Sequence, residues 1–179
     1  MTKVRKLFTT LILSVILITS FSGCDNGVKP MDMLTKSSIN ISAANCARGY
    51  LQAIFTYDEN LFMACFPEDA YDRFRGPEYF KSLCEITDAS EFTFLGTRNG
   101  AVRPIGEAED TLFKDTAIRI ASVHGVDENS ITDIQVVNTK VYFSSDGKNF
   151  SNDCYVMVYK SNNFWYAFEL ETPEEETDS

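Results

Sequence analysis

Three β-rich runs separated by turn residues make up the C-terminal third of the chain. They cover residues 131–144, 153–160 and 164–170, with Asp146-Gly147 and Ser161-Asn162-Asn163 between them. Asp-Gly and Asn-rich segments favour the tight turns that join antiparallel strands. The pattern therefore predicts an antiparallel meander.

The middle run of the meander is apolar on both faces. Side chains alternate across a strand, so two different sets face opposite ways: Cys154, Val156 and Val158 on one side, and Tyr155, Met157 and Tyr159 on the other. A sheet face in water would instead alternate apolar with polar residues. The second face must therefore be covered by a helix, a ligand or another chain.

Two further β segments are predicted. In the last run Phe164, Tyr166, Phe168 and Leu170 share one face, which we expect to lie on the helices. Residues 91–96 alternate and place Phe92 and Phe94 on one face, with Asn99-Gly100 as the following turn.

Apolar residues at three- and four-residue spacing predict short helices before this sheet. Ser42 can cap the first, and Asp58 can cap a second that Pro67 stops. Residues 68–74 are predicted as a further turn or helix, and residues 78–86 as the next helix. Residues 107–124 fit a helix or a strand, and we favour the helix because its acids would precede it and Gly125 would follow it.

The N-terminus has the three parts of an export signal. Lys3, Arg5 and Lys6 precede a twelve-residue, mainly apolar run over 7–18, and small residues follow at Ser22 and Gly23. Twelve residues are too few to span a bilayer. The alternative is an ordinary secretory signal with an incidental cysteine.

The segment Phe21-Ser22-Gly23-Cys24 resembles the lipobox of the bacterial lipoproteins, with Phe21 in place of the usual Leu. The resemblance implies cleavage after residue 23 and lipid attachment to Cys24, which would anchor the protein outside the cytoplasm. We expect four parts: signal peptide 1–23, flexible tether 24–40, a single α+β domain 41–170, and an acidic disordered tail 171–179.

Helices followed by a curved antiparallel sheet that closes on Phe164-Trp165-Tyr166 resemble the nuclear-transport-factor-like, cystatin-like cone fold. The opening helix would contribute Tyr50, Leu51, Phe55 and Asp58. The resemblance implies a pocket between helices and sheet. Enzymes of this family commonly set a carboxylate opposite a Tyr or His, and no such dyad can be matched here.

The net charge of the chain is −10, and it becomes −13 once the three signal-peptide cations are removed. A surface this acidic repels phosphate backbones and anionic headgroups. We therefore expect no nucleic-acid partner, and we expect any contact with the membrane to come from the lipid on Cys24.

No catalytic, cofactor or metal motif is present, so no catalytic, cofactor-binding or metal-binding residue is assigned. The only His, His124, is interpreted as a structural residue near a helix end. Cys46, Cys65, Cys84 and Cys154 could pair in three ways in an oxidising compartment, but we favour buried thiols.

The candidate ligand or partner surface comprises Tyr155, Met157, Tyr159 and Trp165. The leading hypothesis is a non-enzymatic lipoprotein that binds a small apolar ligand or a protein through its sheet. One alternative is a cone-fold enzyme that uses a Tyr and a buried carboxylate such as Glu91 or Asp133. Another is a dimeric structural accessory protein of an envelope complex.

Overall fold

The computed structural model describes residues 33–87 and 92–171. The predicted signal peptide, Cys24, Glu91 and residues 172–179 lie outside this part of the chain. The helices are α1 (Lys36–Ile39), α2 (Ala43–Thr56), α3 (Glu59–Met63), α4 (Ala70–Arg73), α5 (Gly76–Thr87) and α6 (Thr111–His124), with a short 3-10 helix at Glu128–Ser130. The strands are β1 (Thr93–Pro104), β2 (Ile131–Ser145), β3 (Lys148–Ser161) and β4 (Phe164–Glu171).

The described strands form one antiparallel sheet in the order β1-β2-β3-β4, so the predicted meander and the α+β class are confirmed. The β2–β3 turn has positive φ at Asp146 (50°) and Gly147 (74°). The β3–β4 turn has positive φ at Asn162 (51°) and Asn163 (69°). Two consecutive left-handed residues match the right-handed twist of the flanking strands, as in type I′ hairpins.

Strand β1 is longer than predicted, and the turn expected at Asn99-Gly100 is wrong. Both residues lie inside β1, where the register with β2 shifts between Asn99 and Val102. The turn-forming residues thus produce an irregularity of the β-bulge kind rather than a reversal of the chain. A second register shift falls between Phe94 and Gly96.

Helices α1–α5 cover one face of the sheet, and α2 contacts all four strands. The predicted caps are confirmed: Ser42 accepts a hydrogen bond from the Asn45 amide, and Asp58 accepts one from the Leu61 amide. Tyr50, Leu51 and Phe62 are fully or almost fully buried in this core. The helical pattern therefore identified the larger of the two cores.

Helix α6 covers part of the opposite face, which confirms the helical interpretation of its segment. Phe113 and Ile120 from α6 form a second core with Val136, Met157 and Tyr159 of the sheet. The second apolar face of β3 is thus covered by a helix, one of the three options the sequence left open.

The prediction for β4 is wrong in part. Phe164 is exposed, whereas Trp165 and Ala167 pack on α1–α5 and Phe168 packs in the α6 core. The free edge of β4 is occupied as well, because the Trp165 amide donates to the Asn40 carbonyl at 3.0 Å and the Ala167 amide donates to the Cys65 carbonyl at 2.8 Å. This edge therefore presents few open donors to another strand.

Folded structure begins earlier than the predicted tether boundary. Ile39 is fully buried and lies against Gly49, where a Cβ would be only 3.0 Å from its side chain. Gln52 accepts a hydrogen bond from the Leu34 amide at 2.8 Å. Residues 34–40, assigned to the tether, are therefore attached to α2.

Two glycines with similar positive φ angles allow the cost of backbone strain to be measured separately from the cost of side-chain crowding. At Gly125 (φ +70°), which ends α6, a Cβ would lie 2.6 Å from the Arg73 guanidinium, whereas at Gly147 (φ +74°) it would meet nothing within 4 Å. Gly147→Ala should cost about 1 kcal/mol through left-handed strain alone. Gly125→Ala should cost only slightly more in urea unfolding, because the exposed end of the Arg73 side chain must also move.

The excess cost should shrink when Gly125→Ala is combined with Arg73→Ala, since the obstructing side chain is then absent. Equal losses for Gly125→Ala and Gly147→Ala would show that the Arg73 side chain moves aside without a measurable cost in stability.

Candidate functional site

Helix α6 covers only one part of its face of the sheet. Along β2 the residues on this face change from Ile134 and Val136, buried under α6, to Asn138, Lys140 and Tyr142. None of these last three belongs to the α6 core. The remainder of the face is therefore a polar surface beside the helix.

A shallow, open cleft of about 310 Å³ lies on this polar part of the sheet. Its lining residues come from the three adjacent strands β1, β2 and β3: Arg98, Asn99, Gly100, Lys140, Tyr142 and Asp153. The volume is near the lower end of the range for small-molecule sites. A sheet rather than flexible loops therefore positions the candidate site.

The strand register places three charges in a row across the cleft. Arg98 pairs with Lys140, and Lys140 pairs with Asp153. The Lys140 ammonium and the Asp153 carboxylate are 3.6 Å apart, and both side chains are more than a third exposed. Such a solvent-exposed pair contributes little to stability, so an arriving ligand can rearrange it.

Arg98 is exposed and makes no ion pair within the described part of the chain. Since the charges of Lys140 and Asp153 cancel, Arg98 gives the cleft one net positive charge, in a chain whose net charge is −10. The sequence pattern did not indicate this group, because the adjacent Asn99-Gly100 was interpreted as a turn. The cationic residues flanking that dipeptide were the available signal.

The irregularity in β1 shapes the cleft. A Cβ on Gly100 would lie 3.1 Å from the Asn138 side-chain amide carbon and 3.3 Å from the Asn138 carbonyl oxygen. Glycine therefore allows β1 to approach β2 closely at this point. Asn138 donates to the Tyr155 hydroxyl at 3.4 Å, which links the edge of the cleft to the border of the α6 core.

The residues predicted as one binding surface do not form one. Tyr155, Met157 and Tyr159 face α6, whereas Trp165 lies on the opposite face in the core with α1–α5. Met157, Tyr159 and Trp165 are buried, and Tyr155 is half-buried. The apolar character that suggested a surface is used in core packing.

His124 lies where the two cores meet. It is buried, its Nδ1 is 2.8 Å from the Tyr159 hydroxyl, and its ring contacts Phe66, Phe74 and Phe168 at centroid distances of 5.3–5.6 Å. Burial lowers the pKa of His124 to about 4 and raises the pKa of Tyr159 well above its usual value. The structural role is as predicted, but the imidazole is neutral rather than a cation at a helix end.

The four described cysteines are free thiols, as favoured from the sequence. Cys46, Cys65 and Cys84 are buried and Cys154 is half-buried. Burial raises the pKa of Cys154 to about 12 and that of Cys84 to about 11. Their thiolate populations, and with them their reactivity, are therefore low.

Over residues 33–85 and 92–168, whose side-chain exposure the structure describes, no Asp or Glu side chain is buried. Asp133 is half-buried and accepts a hydrogen bond from Gln135 at 2.8 Å. The same residues contain no group of three or more His, Cys, Asp or Glu side chains suited to a metal ion. None of the described helices combines the length and apolar character needed to cross a membrane.

Comparison with known proteins yields no match to this chain among protein-family models, curated proteins or solved structures.

The neutral His124 predicts acid sensitivity. In the unfolded chain His124 binds a proton near pH 6.5, but in the folded protein only near pH 4. Its contribution to the free energy of unfolding is therefore fully present above pH 6.5 and is lost as the pH falls from 6.5 to 4. Between about pH 7 and pH 5 the wild type should lose about 2 kcal/mol more than His124→Gln, as measured by urea unfolding.

Because His124 is the only histidine, its ring signals can also be followed directly by NMR in the unmodified protein. They should remain those of a neutral imidazole at about pH 6. A midpoint near 6.5 would contradict the buried, uncharged assignment.

Proposed function

We propose that this protein is a lipid-anchored extracytoplasmic lipoprotein whose α+β domain binds a small ligand or a protein segment. The observation that carries the proposal is the division of one sheet face. Helix α6 covers its apolar part, and the polar part next to it holds the cleft between Arg98 and Asp153. The cleft carries one net positive charge in an acidic protein, so its local potential favours an anionic group.

The ligand class differs from the initial hypothesis. A small apolar ligand was expected because β3 is apolar on both faces, but α6 now accounts for that second face. The remaining cleft is lined by charged and polar residues. We therefore propose a polar ligand.

The proposed lipid anchor is supported by the sequence of residues 1–24. The cationic start, the apolar run and Phe21-Ser22-Gly23-Cys24 together support processing and acylation at Cys24. Eight residues lie between Cys24 and Met33, so an extended connection would hold the domain within roughly 30 Å of the lipid.

We further infer that the domain is of the cystatin-like cone type. Helices packed on one face of an antiparallel meander support this, as does the pair of register shifts in β1, since bulges bend strands. Helix α6 on the other face is an addition to the arrangement expected from the sequence.

The anchor predicts a specific processed product. The full chain, expressed in a bacterium and purified from membranes, should begin at Cys24 and carry fatty acid on its N-terminal peptide by mass spectrometry. The Cys24→Ser variant should keep residues 1–23 and carry no acyl chain. Wild-type protein that retains its first 23 residues, or that lacks fatty acid, would contradict the proposed location.

A further inference from the structure

The charges of the cleft restrict what it can bind. Among the described residues, the cleft combines a guanidinium on Arg98 that has no ion-pair partner with a Lys140–Asp153 pair, and its net charge is one positive. A guanidinium presents two parallel N–H donors that match a carboxylate. A dianionic phosphate would place its second charge near Asp153, so a monoanion fits the cleft better.

Asp153 adds a second requirement. Its carboxylate is 45% exposed and shares only one described ion pair, the 3.6 Å contact with Lys140. A ligand that holds Arg98 with a carboxylate can offer Asp153 a hydrogen-bond donor, which would replace the water that this exposed carboxylate loses. A ligand without such a donor would leave Asp153 partly desolvated and unpaired.

Size and geometry agree with this requirement. Arg98 and Asp153 lie on β1 and β3, so about two strand spacings, roughly 10 Å, separate their backbones. Both side chains line the same cleft, so one small molecule bound there can contact both. A volume of about 310 Å³ admits one or two amino-acid residues rather than a large cofactor.

We infer that the cleft binds a carboxylate that also carries a hydrogen-bond donor, the chemistry of an amino acid or of the C-terminal residue of a peptide, with Arg98 holding the carboxylate and Asp153 the donor. This inference rests on the proposed binding function and deepens it. The Lys140 ammonium lies 3.6 Å from the Asp153 carboxylate, and its positive charge contributes to the attraction of the anion.

The test is ligand-observed NMR on the purified full chain with four probes. These are alanine, N-acetyl-alanylalanine, the C-terminal amide of that dipeptide, and propionate. Alanine and the dipeptide acid should bind, whereas the amide lacks the charge and propionate lacks the donor, so both should bind at least about tenfold more weakly. The ratio of alanine to dipeptide affinity tells a free amino acid from a peptide end.

Two variants with the same change in charge separate the cleft from general electrostatics. Arg98→Gln should weaken binding of the acids at least about tenfold. Arg103→Gln, on the same strand but outside the cleft lining, should leave it near the wild-type value.

The outcomes distinguish a failure of the carboxylate inference from a failure of the proposed binding function. If the amide binds as well as the acid and both depend on Arg98, the cleft binds ligands but the carboxylate inference is wrong. If no probe binds, or if Arg98→Gln binds as the wild type does, the inference and the placement of the binding function in this cleft both fail. Circular dichroism of each variant checks that the fold is retained.

Discussion

The fold depends on one strand that is apolar on both sides. Val156 and Val158 of β3 point into the core with α1–α5, while Met157 and Tyr159 point into the core with α6. Water is unfavourable on either side, so a helical layer must lie on each. The ring contacts of His124 with Phe66 and Phe74 then join the two layers. The Tyr159 hydroxyl is hydrogen-bonded to the same neutral imidazole from the sheet.

The candidate site lies where α6 no longer covers the second face of the sheet. On β2 the face under α6 changes from Val136 to Asn138 and Lys140, and the sheet continues into solvent as a polar, cationic surface. The paired strands hold the backbones of Arg98, Lys140 and Asp153 in register, so a ligand has only their side chains to order. A cleft built this way suits recognition of a small charged group, and its chemistry differs from the apolar binding expected initially.

Sequence patterns predicted the elements with strong local signals. The three C-terminal strands, the capped helix α2 and helix α6 appear where periodicity and turn residues place them. The failures have physical causes. Asn99-Gly100 forms an irregularity inside β1 because β2 offers a pairing partner, and Trp165 is turned to the opposite face from Tyr155 because alternation alone cannot assign faces across hairpins. The cleft could not be predicted, because its residues come from three strands that are distant in sequence and no local pattern shows which residues pair.

The double cover of β3 can be tested on α6 with one matched pair of substitutions. Ile120 is fully buried against the sheet, whereas Ile118, two residues earlier on the same helix, is 53% exposed. The measurement is the free energy of unfolding in urea for Ile120→Ala and Ile118→Ala. We predict a loss of about 2–5 kcal/mol for the first and a change within about 0.5 kcal/mol for the second. Equal, small losses of unfolding free energy in the two variants would contradict this result, because they would mean that α6 does not cover the second face of β3.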